Sequence, residues 1–158
     1  MNSQRVALRI LLIEDDIDDY MFFRDALSET GLNAELQTTT RCNNILDVLG
    51  PSADSLPQII FLDLHMPLVS GRECLHSIRS LQHLDAVPVV IYSTSASAYD
   101  IEDTWTGGAD LYLTKPSSFQ LLVSALRKIL QLNWKIHALE KNRQNFVYKH
   151  SVLNQAAA

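Results

Sequence analysis

The chain has 158 residues, 47% of them apolar and 20% charged, and carries a net charge of −5. Those totals fit a single globular domain with a substantial core. No apolar run approaches the ~18–20 residues of a membrane-crossing helix and the N-terminus lacks an apolar signal segment, so no membrane partner is expected and the cytoplasm is the expected location.

The charge is unevenly spread: residues 1–118 hold 7 Lys/Arg against 17 Asp/Glu, and residues 119–158 hold 6 against 1. A basic end can mark an arm that meets nucleic acid. Here Arg127, Lys128, Lys135, Lys141, Arg143 and Lys149 are scattered, as on the solvent side of a helix, so no nucleic-acid partner is expected.

Taken in order, residues 1–7 read as a disordered lead-in. Leu8–Ile13 is apolar without polar alternation, the mark of a strand buried on both faces. From Ile17 the period becomes helical: Ile17, Tyr20, Met21, Phe23, Ala26 and Leu27 form a stripe, with Asp18, Asp19, Arg24, Asp25 and Glu29 largely opposite. Asp16 is placed to cap this helix and Gly31 to close it. Residues 33–39, rich in Thr with apolar residues only at Ala34 and Leu36, predict an exposed edge strand. A helix over residues 41–49 stops at Gly50-Pro51, and residues 50–57 form a loop. The run Ile59–Leu62 is a doubly buried strand that ends at Asp63. Gly71 leads into a helix with Cys74, Leu75, Ile78 and Leu81 on its inner stripe, and residues 87–92 form the fourth strand. Residues 98–106 predict a helix with a thin apolar face, weakly anchored and able to move, ended by Gly107-Gly108. Residues 109–113 form the fifth strand, and the last helix runs from near Ser117 to at least Ile136. Cys42 and Cys74 belong to no CxxC or Cys/His cluster and read as small buried apolar residues rather than as a disulfide. Five strands alternating with five helices imply parallel pairing, hence a doubly wound α/β fold in three layers.

Ligands of open α/β sheets bind outside the carboxyl ends of the strands. There the sequence places Glu14-Asp15-Asp16, Asp63, the hydroxyl pair Ser93-Thr94, and Lys115 before Pro116. Carboxylates without histidine or cysteine partners favour hard cations, so Glu14, Asp15 and Asp63 are candidate ligands of Mg²⁺. With the phosphoryl oxygens neutralised, one carboxylate can attack phosphorus to form an aspartyl phosphate, which Ser93 and Lys115 would hold.

Those residues give the chain a resemblance to the receiver domains of two-component response regulators, especially the single-domain kind. It covers roughly residues 8–132 and rests on Leu11-Leu12-Ile13-Glu14-Asp15-Asp16, Phe61-Leu62-Asp63-Leu64-His65-Met66-Pro67, Gly71, Ser93-Thr94-Ser95, Gly108-Ala109 and Tyr112-Leu113-Thr114-Lys115-Pro116. Asp63 precedes Ser93 by 30 residues and Lys115 by 52, spacings that fit the family without gaps. The resemblance implies a five-stranded sheet of flavodoxin-like order 2-1-3-4-5. It implies phosphorylation of Asp63 by a sensor histidine kinase or phosphotransfer protein, with signalling through an unknown downstream protein. Mg²⁺ would be held by Asp15, Asp63 and the main-chain carbonyl of His65, with Glu14 acting through water. Ser93 would be the switch hydroxyl, Tyr112 the aromatic that turns inward with it, and Lys115 the oxyanion partner before a cis peptide at Pro116. Thr94 stands where many relatives carry a small residue, and the Ser-Thr-Ser form looks like regulators paired with bacterial phytochromes. His65 also departs from the common pattern, and no output domain is expected to follow.

The apolar stripe at 119, 122, 123, 126, 129, 130, 136 and 139 extends the last helix beyond one sandwich face. The expected layout is a receiver domain over residues 8–139 with an extended C-terminal helix and a tail over residues 140–158. Its partner-binding face, formed by the fourth helix, fifth strand and fifth helix, suits a homodimer or a kinase contact; the other reading is a tail that folds back. The rival function is a Mg²⁺-dependent phosphatase with an aspartyl nucleophile, against which His65 stands where such enzymes usually place a second Asp. No turnover substrate is expected.

Overall fold

Apolar runs with no polar alternation can be satisfied only between two layers of helices, and the central strands take that position. The computed structural model describes residues 5–42, 45–49 and 53–150, residues 46 and 53 by their main chain alone. Strands β1 (Leu8–Ile13), β2 (Ala34–Thr39), β3 (Ile59–Leu62), β4 (Val89–Ser93) and β5 (Leu111–Thr114) form one parallel sheet in the order β2-β1-β3-β4-β5. Every residue of β3 and β4 is buried, whereas β2 is the half-exposed edge that its Thr-rich sequence predicts. Register aligns Ile13 with Leu62, Leu62 with Ile91, and Ser93 with Thr114, so the strand ends form one rim.

Side chains alternate between two cores. Ile10, Leu12, Ile59, Phe61, Val90 and Tyr92 face helices α1 (Ile17–Glu29) and α5 (Phe119–Leu130). Phe23 of α1 sits edge-on to Phe61 at 5.0 Å and to Tyr92 at 5.5 Å. Leu11, Ile13, Ile60, Leu62, Val89, Ile91 and Tyr112 face α2 (Ile45–Leu49), α3 (Gly71–Arg79) and α4 (Ala98–Thr106). At the far end of the sheet Arg79 gathers the carbonyls of Leu84, Val87 and Gly108 and the carboxylate of Asp110, which itself accepts from the N–H of Val89.

Several boundaries differ from the sequence reading. Val87 N–H closes a 3₁₀ turn over Gln82–Leu84 and Pro88 has no N–H to give, so β4 starts at Val89. Ala109 N–H bonds back to Thr104, so β5 starts at Leu111. The expected loop at 50–57 holds a 3₁₀ turn over Ala53–Ser55. Residues 1–4 of the lead-in, residues 43–44 and 50–52 around the second helix, and residues 151–158 of the tail lie outside the described residues.

Three expectations are corrected. Cys42 and Cys74 form a disulfide, with Cα atoms 5.3 Å apart, because the loop leaving β2 passes the buried face of α3. Among the described residues no peptide bond is cis, the one before Pro116 included. The last helix is broken: α5 ends at Leu130, and Asn133 caps a new helix α6 (Trp134–Glu140) by accepting from the N–H of Ile136. Asn142 caps α7 (Arg143–Phe146) in the same way. The stripe that suggested continuity is abandoned, since Ile136 and Leu139 are exposed, and the chain returns to the edge of β5 at Val147.

Candidate functional site

The rim gathers acids by strand register. Glu14 and Asp15 follow β1, Asp63 follows β3 and Lys115 follows β5. Glu14 and Asp63 are buried and Asp15 is exposed; one carboxylate oxygen from each lies within 4.8 Å of the others. The Lys115 ammonium stands 2.8 Å from Glu14, 2.7 Å from Asp19 and 3.5 Å from Asp63, above the ring of Tyr92. A cleft of about 500 Å³ opens over this group, walled by Asp16, Asp18, His65, Pro67 and Thr94 as well as by Glu14, Asp15, Asp19, Asp63 and Lys115.

One lysine serves more carboxylates than it can neutralise. Burial pushes Glu14 up to about 7, despite the hydrogen bond and charge of Lys115, and the charge of Asp63 pushes the same way. Burial alone would lower Lys115, but hydrogen bonds to Asp19 and Glu14 and the charge of Asp63 outweigh it, so the ammonium is held above its ordinary value. An oxygen-only donor set with surplus negative charge fits a hard divalent cation.

Gly71 fixes the loop after Asp63. Its N–H donates to the Leu64 carbonyl, and a Cβ there would lie 2.3 Å from the Asp63 carbonyl oxygen, so α3 begins in contact with the main chain of Asp63. The Asp63 side chain accepts from His65 N–H at 3.2 Å. Across the cleft, Thr94 lines the wall, while Ser93 is fully buried and accepts from Ser95 N–H. Tyr112 is also fully buried, its hydroxyl donating to the Ser95 carbonyl at 2.7 Å; burial raises its phenol, which keeps it a donor.

Two further acids belong here: Asp19, placed by period opposite the apolar stripe of its helix, and Asp100, on the helix with the thin apolar face. Asp19 bonds Lys115, because the Asp16 cap, which accepts from the N–H groups of Asp18 and Asp19, turns the first helical turn toward the rim. The cap spacing was the available signal. Asp100 faces inward from α4, pairs with Arg72, accepts from Ser95 Oγ and lies 3.5 Å from His65 Nε2. No helix among the described residues is long and apolar enough to cross a membrane.

Known proteins resemble this chain in sequence and in fold. The chain is 32% identical over 130 residues to a probable methanogenesis regulatory protein, FilR2 of Methanothrix harundinacea, an overlap of 79% of this chain and 84% of that one. Among solved structures, the phosphorylated cyanobacterial phytochrome response regulator RcpA superposes with a TM-score of 0.68 at 30% identity, over 78% of this chain and 91% of that one. The Mn²⁺-bound response regulator Rcp1 does so with a TM-score of 0.64 at 29% identity, over 77% and 90%. The family model of the response regulator receiver domain matches residues 10–127, β1 through most of α5, and the chain belongs to that family.

Proposed function

We propose that the protein is a phosphoryl-accepting switch that receives its phosphoryl group on Asp63 from a phosphohistidine of a sensor histidine kinase or phosphotransfer protein. The observation that carries this is the buried Asp63 at the rim, 3.5 Å from the Lys115 ammonium and within 4.8 Å of the Glu14 and Asp15 carboxylates. An oxygen of Asp63 attacks phosphorus, the P–N bond breaks, and the imidazole nitrogen leaves with the electron pair. Asp15, Asp63 and the main-chain carbonyl of His65 would hold Mg²⁺, with Glu14 acting through water. When bound, the ion neutralises the phosphoryl oxygens and aligns the group for attack. Lys115 then exchanges carboxylate partners for a phosphoryl oxygen, and the hydroxyls of Ser93 and Thr94 donate to the others. Thr94 narrows the approach of water to the aspartyl phosphate, which slows its return to aspartate and inorganic phosphate.

The product acts by protein contact: a change at Asp63 reaches the loop after β4 through Ser93 and Thr94, and Tyr112 and Asp100 grip that loop from β5 and α4. Incubation with Mg²⁺ and a small phosphodonor tests the reading. The wild type should gain one phosphoryl group by mass and Asp63→Asn none. Equal labelling of both proteins overturns it, and steady release of phosphate from many phosphoesters favours a phosphatase.

A further inference from the structure

β5 ends the sheet, and an edge strand presents unpaired N–H and C=O groups. Here that edge is taken by the chain itself. Val147 forms a parallel bridge with Tyr112, and Tyr148 N–H donates to the Tyr112 carbonyl at 2.8 Å. Phe146 is 1% exposed, its ring 6.2 Å from that of Tyr112 and 5.3 Å from that of Trp105 on α4. Ionic contacts hold the approach: Lys141 bonds the Ala109 carbonyl and lies 4.8 Å over Trp105, and Arg143 pairs with Glu102 at 2.7 Å.

Tyr112 therefore carries two loads. Its main chain and ring face hold the tail, while its hydroxyl holds the Ser95 carbonyl, one residue beyond the Thr94 that walls the cleft. A ring packed on a buried neighbour at interior density cannot turn unless that neighbour gives way.

We propose that Phe146 is a positioning residue for the phosphoryl site, acting through Tyr112 on the loop after β4, so that docking of residues 146–148 on β5 and phosphoryl binding at Asp63 strengthen one another. The sign follows from the docked structure, in which Tyr112 is turned inward and Thr94 already lines the cleft. Coupling between two sites is reciprocal, so it can be read from either end. This inference rests on the phospho-switch reading of Asp63.

The test uses the full chain with Mg²⁺ and beryllofluoride. Hydrogen exchange at the Tyr148 amide should slow when beryllofluoride binds. Phe146→Ala should weaken beryllofluoride affinity about fivefold or more, the lower end of ordinary coupling, and Phe146→Leu should recover most of it. Arg143→Glu, which opposes Glu102 on an exposed pair and leaves the core intact, should weaken it in the same direction if the alanine variant fails to fold. Unchanged affinity in the folded variants, or faster exchange at Tyr148 on binding, overturns the proposal; so does a second copy replacing the tail, seen as lost protection with doubled mass. A wild type that binds no beryllofluoride sinks the reading of Asp63 itself, and is distinguished by fluorine resonance of the bound anion.

Discussion

Gly71 is where one hydrogen in place of a methyl group matters to the site. An alanine Cβ there would stand 2.3 Å from the Asp63 carbonyl oxygen and 2.5 Å from Leu64 Cα, both main-chain atoms with little room to retreat. Gly71→Ala should cost about 1–3 kcal/mol in a urea melt, as overpacking does, and should slow phosphorylation because Asp63 moves with its own carbonyl. Opposite behaviour is expected of Asp63→Asn. Removing one of three carboxylates gathered within 4.8 Å relieves two repulsions of about 3–4 kcal/mol each at an effective dielectric near 20, and losing the attraction of Lys115 at 3.5 Å takes back about 5, which leaves about 1–3 kcal/mol of relief. The metal-free variant should therefore melt above the metal-free wild type, while losing the stabilisation that Mg²⁺ gives the wild type, about 1.4 kcal/mol at ten times its dissociation constant. Calorimetry with and without Mg²⁺ reads both. Asp63 was legible because a doubly buried strand stops at it. Asp19 was assigned to solvent, because period alone puts a first-turn acid there and says nothing of the lysine that register brings opposite it, although the Asp16 cap aimed that turn at the rim.

α4 holds to the sheet by a polar clasp. Its buried residues are Asp100 and Thr104, beside the part-buried Ile101 and Trp105, and Thr104 Oγ1 is used up on the Asp100 carbonyl, so the polar grip falls to the Asp100 carboxylate with Ser95 and Arg72, while Ser97 Oγ accepts from the Asp100 N–H. The Ser95 hydroxyl, ahead of the opposing effect of burial, and then Ser97 and the Arg72 charge hold the Asp100 carboxyl below its ordinary 3.8. A carboxyl depressed on folding contributes stability that is whole above the unfolded value and fades as pH falls through the folded one. Asp100→Asn should thus cost about 1–3 kcal/mol at pH 7, and urea midpoints of variant and wild type should converge below pH 3.8. A constant gap across that range would remove Asp100 from the clasp. Sequence periodicity located this helix within a residue yet misjudged its anchorage, since counting apolar positions cannot register a buried aspartate. The same count carried the last helix past Leu130, where Gln131 and the Asn133 cap outweigh Leu132 and Trp134.

Across the whole molecule, two tethers close a sheet that is otherwise open at both sides: the tail over β5, and the disulfide between Cys42, just beyond β2, and Cys74 in α3. The disulfide was not legible, and the tail was so only as the rival reading of a chain that folds back. The tail's docking depends on Phe146 finding Trp105 some 40 positions earlier, and cysteine spacing carries no pairing information without the fold that brings α3 beneath the loop. The cross-link acts on the unfolded chain. It joins residues 32 apart in sequence, and closing a loop of that length removes unfolded-state entropy worth about 3–4 kcal/mol. Both sulfurs lie in the core that also holds Leu64 and Met66, whereas the Asp63 carboxylate is held by Lys115 and the His65 N–H, contacts that opening the bridge is expected to leave in place. Reduction by a dithiol, which converts the bridge to two thiols as the reagent closes its own disulfide, should lower the urea midpoint by about 2 M for a chain of this size. Phosphorylation of Asp63 in folded protein should stay within about twofold, since the effect lies in the state that carries no site. Coincident melting curves for the oxidised and reduced forms would show that the bridge constrains nothing the fold does not already hold, and a collapse of phosphorylation in the folded reduced protein would place the disulfide in the site's own framework.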